Sequence, residues 1–137
     1  MNQSKDLPKA LPAMELDINF NIEGNVTRKT YSGDFKFRIP NLKARAQADR
    51  KRAELNGPIE ERFLDPTVAN FHTMISYLRF TLVESPKWWR DSDHGYDLYD
   101  SNVVSELYSQ CTNYENSWME QVWGKKEESE VAPEGEA

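Results

Sequence analysis

Very little in this chain is suited to covalent or metal chemistry. Its 137 residues include one cysteine, Cys111, and two histidines, His72 and His94. A single thiol forms no internal disulfide, and it excludes a zinc site built on cysteines. There is no glycine-rich phosphate loop, no Gly-x-Ser-x-Gly elbow and no His-Glu-x-x-His pair. No Ser, Cys or Lys nucleophile has a base at a suggestive spacing. No apolar run reaches transmembrane length, and the opening stretch MNQSKDLPKALPAM has no apolar core of a signal peptide. Cations are outnumbered too: 17 Lys and Arg face 23 Asp and Glu, for a net charge of −6, so the whole chain lacks the electrostatic footprint of a nucleic-acid binder. These absences predict a cytoplasmic protein that is not an enzyme, with no cofactor, metal or membrane partner.

What is present is aromatic and patterned. Aromatic residues make up 12% of the chain, too many for a disordered protein, while 29% charged residues fit polar ends on a folded body. Residues 1–13 read as a flexible arm and 14–123 as one domain. Residues 124–137 read as a disordered acidic tail carrying Glu127, Glu128, Glu130, Glu134 and Glu136.

Within the body, Met14, Leu16, Ile18, Phe20 and Ile22 alternate with polar residues, the period of a half-buried strand. A turn at 23–25, a short β-branched run at 26–31, a second turn at Ser32-Gly33 and alternation over 34–39 predict a three-stranded antiparallel meander. Such a sheet needs a second layer. Asn41 caps a polar helix that Gly57-Pro58 ends, with a thin apolar face of Leu42, Ala46, Ala53 and Leu55. A second helix starts with Asp65-Pro66 and runs to residue 84, its stripe Leu64, Val68, Phe71, Ile75, Leu78 and Leu82. A third starts near Asp100 or Ser101 and runs to about Trp123, on Val104, Leu107, Cys111, Tyr114 and Trp118. The fold class expected is α+β: a meander, three helices and an acidic tail.

Candidate binding residues fall in two places. Lys43, Arg45, Arg50, Lys51 and Arg52 make the first helix basic. This is a solvated face on the plainest reading, or a phosphate-tracking surface on a nucleic-acid reading that lacks aromatic platforms. Trp88 and Trp89 follow Pro86 in the connection between the second and third helices. Adjacent positions do not easily point two rings the same way, so one is expected buried and the other partly exposed, as a contact for a partner. The run Asp91, Asp93, His94, Asp97, Asp100 fails as an EF-hand loop. Tyr96 stands where a glycine must turn, and Asn102 where a bidentate Glu belongs. Asp97 or Asp100 reads better as a helix cap. His72, one position off the apolar stripe, reads as a hydrogen-bonded boundary residue.

Taken together, the segments YSGDFKFRIPNL, KARAQADRKRAELNG, LDPTVANFHTMISYLRFTLVESPKWW and YDLYDSNVVSELYSQCTNYENSW resemble the tail assembly chaperones of long-tailed bacteriophages. The resemblance spans roughly residues 31–123. It implies a non-enzymatic protein of the host cytoplasm that binds the tape-measure protein, a long helical chain with apolar faces. Such a chaperone keeps that chain soluble while tail-tube protein polymerises around it, and is absent from the mature virion. Many weak copies along one partner give avidity and leave self-association open. The resemblance also implies a second, longer product made by a −1 ribosomal slip. Gly124-Lys125-Lys126 can be encoded by a slippery run, or can simply be a helix end with a glycine cap. The competing readings are a structural virion component, such as a tail or head-completion subunit, and a nucleic-acid-binding accessory protein using residues 41–56.

Overall fold

The computed structural model of the chain describes residues 11–124. Residues 1–10 of the expected arm, and the acidic tail with Lys125 and Lys126, lie outside the described residues. The long alternating run forms β1 (Glu15–Glu23), and β2 (Thr30–Arg38) pairs with it antiparallel, from Glu15 opposite Arg38 to Glu23 opposite Thr30 without a shift. Ile18, Phe20, Tyr31, Phe35 and Phe37 are buried on one face of this hairpin. Asp17, Asn19, Asn21, Ser32, Asp34 and Arg38 are exposed on the other. The third strand, β3 (Leu82–Glu84), joins the far side of β2 at Lys36 and Phe37, completing a three-stranded antiparallel sheet in the order β1-β2-β3.

The third strand is therefore not the one expected from the first forty residues. Residues 26–29 belong to the hairpin turn, and Ser32-Gly33 lies inside β2 instead of reversing the chain. Gly33 serves close approach here, since a Cβ on it would stand 2.7 Å from the Pro86 ring. A flat, side-chain-free position in mid-strand thus reads as a turn from sequence alone.

Among the described residues four helices supply the second layer: α1 (Leu42–Asn56), α2 (Pro66–Thr81), α3 (Lys87–Asp91) and α4 (Ser101–Met119), the last running into a π-helical turn at Glu120–Gly124. A single 3-10 turn (Glu61–Phe63) links α1 to α2. The caps of α1 are those the sequence predicts: Asn41 Oδ1 accepts from Ala44 N at 2.9 Å, and Gly57 ends it at φ 70°. Helix α2 stops at Thr81, short of the expected residue 84. Leu82–Glu84 find an open edge on β2, and Pro86 biases the chain before it toward extended geometry. Ile75 and Leu78 of its stripe are buried, Phe71 is half-buried and Val68 is exposed. From α4, Val103, Val104, Leu107 and Cys111 enter the same core. Burial pushes the Cys111 thiol up to about 12, so it packs as a small apolar residue.

Among the described residues one carboxylate is fully inside. Asp100 precedes α4 in the N-cap position, yet its side chain caps nothing in that helix. The carboxylate is turned onto the hairpin connection instead. Oδ1 accepts from Val26 N at 2.6 Å and Thr27 N at 2.7 Å, and Oδ2 from Thr27 Oγ1 at 2.5 Å and Tyr31 OH at 2.6 Å. Gly24 makes room for it, because a Cβ there would lie 2.3 Å from the carboxyl carbon. Burial pushes the acid up, but the hydrogen bonds from Thr27, Tyr31 and Val26 outweigh it and hold Asp100 well below the usual carboxylate range. The arm also ends sooner than expected: Pro12 O accepts from Trp118 Nε1 at 3.1 Å, and Ala13 O from Tyr114 OH at 2.6 Å.

Two outcomes follow. Leu78, with 0% exposure, should lose roughly 2–5 kcal/mol on replacement by Ala, read from urea midpoints. Because the folded-state pKa of Asp100 is depressed, its contribution is complete above the unfolded value of about 4 and fades as pH falls through the folded one. The stability gap between wild type and Asp100→Asn should thus be largest near neutral pH and close on acidification; a gap independent of pH would show that the charge is not the stabilising element.

Candidate functional site

The two tryptophans occupy consecutive positions of the single-turn helix α3. Trp89 points inward, is 0% exposed and meets Phe35 edge-on at 5.6 Å, with Gly95 lying against its ring. Trp88 is half-buried and stands edge-on to Tyr31 at 5.1 Å and to Phe35 at 5.8 Å. The expected difference between the pair is present. Trp88 is also tied down, because its Nε1 donates to Ser32 O at 2.8 Å. That carbonyl lies on the β3 side of β2, beyond the point where β3 stops. The indole N–H thus stands in for the missing strand amide. The remaining face of Trp88 borders an open depression of about 390 Å³ with Lys29, Tyr31 and Leu98.

Helix α1 presents the second surface. None of its residues is buried. Leu42 is 85% exposed, and Ala46 and Ala53 are exposed too, so most of the expected apolar face looks at solvent. The stripe that packs is the neighbouring one: Ala44, Ala48, Lys51, Arg52 and Leu55 are half-buried. Short alanines and the aliphatic stems of cations lie along the body with their charges at the rim.

The cations have different fates. Arg45 meets Glu115 of α4 at 2.7 Å, and the other oxygen of Glu115 accepts from Tyr77 OH of α2, so one carboxylate joins three helices. Burial, and then the bond to Glu115, push the Tyr77 phenol well above its ordinary range and keep it a donor. Arg52 lies 3.2 Å from Asp49 and 3.4 Å from Glu61, and Lys51 lies 3.2 Å from Glu54. Lys43 and Arg50 are exposed, with no ion pair among the described residues.

The sequence-predicted site is thus two surfaces. Trp88 and Trp89 face β2 and the 95–98 turn, whereas α1 faces α2 and Glu115. Of the proposed slip position only Gly124 is described, at the end of the π-helical turn.

Other titratable groups have structural partners. His72 is buried, with Nδ1 at 2.8 Å from Asn56 Oδ1 and Nε2 at 2.9 Å from Tyr96 OH. The amide oxygen only accepts, so Nδ1 is the donor to Asn56. Burial, then the Arg79 guanidinium, lower the pKa of His94. Asp91 pairs with Lys87 at 2.7 Å. Among the described residues, no three His, Cys, Asp or Glu side chains converge on a metal position, and no helix is long and apolar enough to cross a membrane. Sequence reasoning missed Asp100, Glu115, Tyr77 and Asn56 as junctions: Asp100 read as a helix cap, and the side-chain hydrogen bonds of the other three leave no pattern in the sequence.

No known family model, curated protein or solved structure matches this chain.

Two measurements test these placements. With Trp118 and Trp123 replaced by Phe, a variant keeping only Trp88 should be quenched by acrylamide more than one keeping only Trp89. Equal, strong protection would remove Trp88 as a contact residue. Glu115→Gln should speed amide hydrogen exchange across Leu42–Asn56 while leaving the sheet slow.

Proposed function

We propose that this chain is a tail assembly chaperone of a long-tailed bacteriophage. It binds the tape-measure protein, keeps it soluble and hands it to the polymerising tail tube. The reading starts from the resemblance over residues 31–123. The observation that carries it further is α1: a fifteen-residue helix with no buried residue, fastened by its rim, leaving Leu42, Ala46 and Ala53 beside Lys43 and Arg50 on the solvent side. A helical partner with apolar and acidic positions fits such a face through helix-on-helix contact. The half-buried Trp88 and its depression offer a second contact. This activity needs no catalytic group and places the protein in the host cytoplasm, free of the finished particle.

The nucleic-acid reading draws less support. Arg45, Lys51 and Arg52 already lie against carboxylates of the same chain, which leaves Lys43 and Arg50 to track phosphates.

Co-expression with the tape-measure protein of the same phage should raise the soluble fraction of that protein. Lys43→Glu with Arg50→Glu should abolish the effect while leaving the thermal midpoint near that of wild type, since exposed substitutions cost at most about 0.5 kcal/mol. Retention of the chain in purified virions would favour the structural-subunit reading instead. Silent recoding of codons 124–126 should remove any longer product seen on an immunoblot against the N-terminal part. If native codons give no longer product, the chain has one length.

A further inference from the structure

Strand β1 lies at one edge of the sheet, and its second side meets no other strand among the described residues. Two backbone bonds set the ladder's phase: Gly24 N to Lys29 O at 2.8 Å, and Ile39 N to Met14 O at 2.9 Å. In an antiparallel pair the bonding direction alternates along the strand. Leu16, Ile18, Phe20 and Ile22 therefore turn their amides and carbonyls to β2. Asp17, Asn19 and Asn21 turn theirs away from the sheet. One end of this edge is closed, because Glu23 O accepts from Asn102 Nδ2 at 2.9 Å. The main chain of Asp17, Asn19 and Asn21 has no such partner among the described residues.

Soluble proteins guard such edges with short length, lysine, proline, a bulge or a covering element. Strand β1 is nine residues long, holds no Lys or Pro and pairs without a register shift. Along its inner row, Leu16 and Ile22 are only half-buried, so apolar surface remains beside the open edge.

We propose that this edge binds an extended, basic, alternately apolar segment of a partner protein, added as a fourth strand. Charge selects the occupant. The outer row reads Glu15, Asp17, Asn19, Asn21, Glu23, with three carboxylates and no cation. Glu15 is matched by Arg38 at 2.7 Å and Glu23 by Arg28 at 3.6 Å, whereas Asp17 has no ion pair among the described residues. A second copy of β1 would bring three more carboxylates, two asparagines and no cation to this row, and like charges on facing strands repel. A strand with Lys or Arg beside Asp17, and with apolar residues over Leu16 and Ile22, meets both rows. Main-chain bonds would give affinity, and the alternating side chains selectivity. The proposal rests on the hairpin alone and stands apart from the tape-measure reading.

The test uses the full chain, isotope-labelled, with two synthetic probes: an alternating Lys-Val peptide and an alternating Glu-Val peptide. In the free chain, the amides of Asp17, Asn19 and Asn21 should exchange fast, and those of Leu16, Ile18 and Phe20 slowly. Excess Lys-Val peptide should slow the outward set by at least roughly tenfold, and the Glu-Val peptide should not. Asn19→Pro removes an outward N–H and no ladder bond, so it should keep the fold and abolish the slowing. If that variant does not fold, Asp17→Lys serves instead and should reverse the peptide preference. No slowing by Lys-Val peptide, equal slowing by both peptides, or slowing retained in folded Asn19→Pro would overturn the proposal. So would outward amides already slow in the free chain, whether from its own termini or from a second copy seen by sedimentation.

Discussion

The carboxylate of Asp100 decides how the two layers meet. Both its oxygens are filled by donors from the far end of the hairpin, and the residue itself immediately precedes α4. A buried charge is tolerable only when its lone pairs are satisfied. Here the satisfying groups are two turn amides, a threonine hydroxyl and the Tyr31 phenol, so the turn geometry and the helix position specify each other. Gly24 belongs to the same constraint, since no side chain fits between turn and carboxylate. With that end pinned, the aromatic row of β2 lies over Trp89, Leu78 and Leu107, and the core closes around it.

Elsewhere, side chains complete what the backbone leaves unfinished. The indole of Trp88 supplies the donor that a longer β3 would have supplied, and the carboxylate of Glu115 anchors a helix none of whose residues is fully buried. This is how α1 stays attached while presenting most of its length to solvent. A helix held by its packed face would have that face spoken for. One held by a rim ion pair and cation stems keeps its small apolar residues available, which is the property the proposed function needs.

How much of this was legible follows from what kind of signal each element carries. Strand β1, the caps of α1 and the start of α2 are written in period and in cap residues, and they stand where the sequence places them. The apolar stripe of α1 misled, because the helix packs through lysine and arginine stems that hydropathy counts as polar. The interior glycine of β2 imitated a turn because its partner in space, Pro86, is far away in the chain. Strand β3 was hidden inside an apparent helix end, since three residues have no period of their own and become a strand only beside a preformed edge. The unequal burial of Trp88 and Trp89 was foreseeable from adjacency, whereas the use of the Trp88 nitrogen was not. The junction at Asp100 looked like an ordinary helix cap, and only the tertiary structure redirects its side chain.

The carbonyls of Pro12 and Ala13 find their donors in Trp118 and Tyr114, across sequence separations of 106 and 101 residues. Loops of that size close late, after the local hairpin and helices have formed. On the ribosome, where the chain grows from its N-terminus, the start of β1 waits for the last turns of α4 to leave the exit tunnel. Until then the sheet has its aromatic row but not its full cover, and the nascent chain carries an unfinished hairpin. Completion of the body thereby waits for α4, and any chain cut short before residue 114 would lack both clasps that tie Pro12 and Ala13 to that helix.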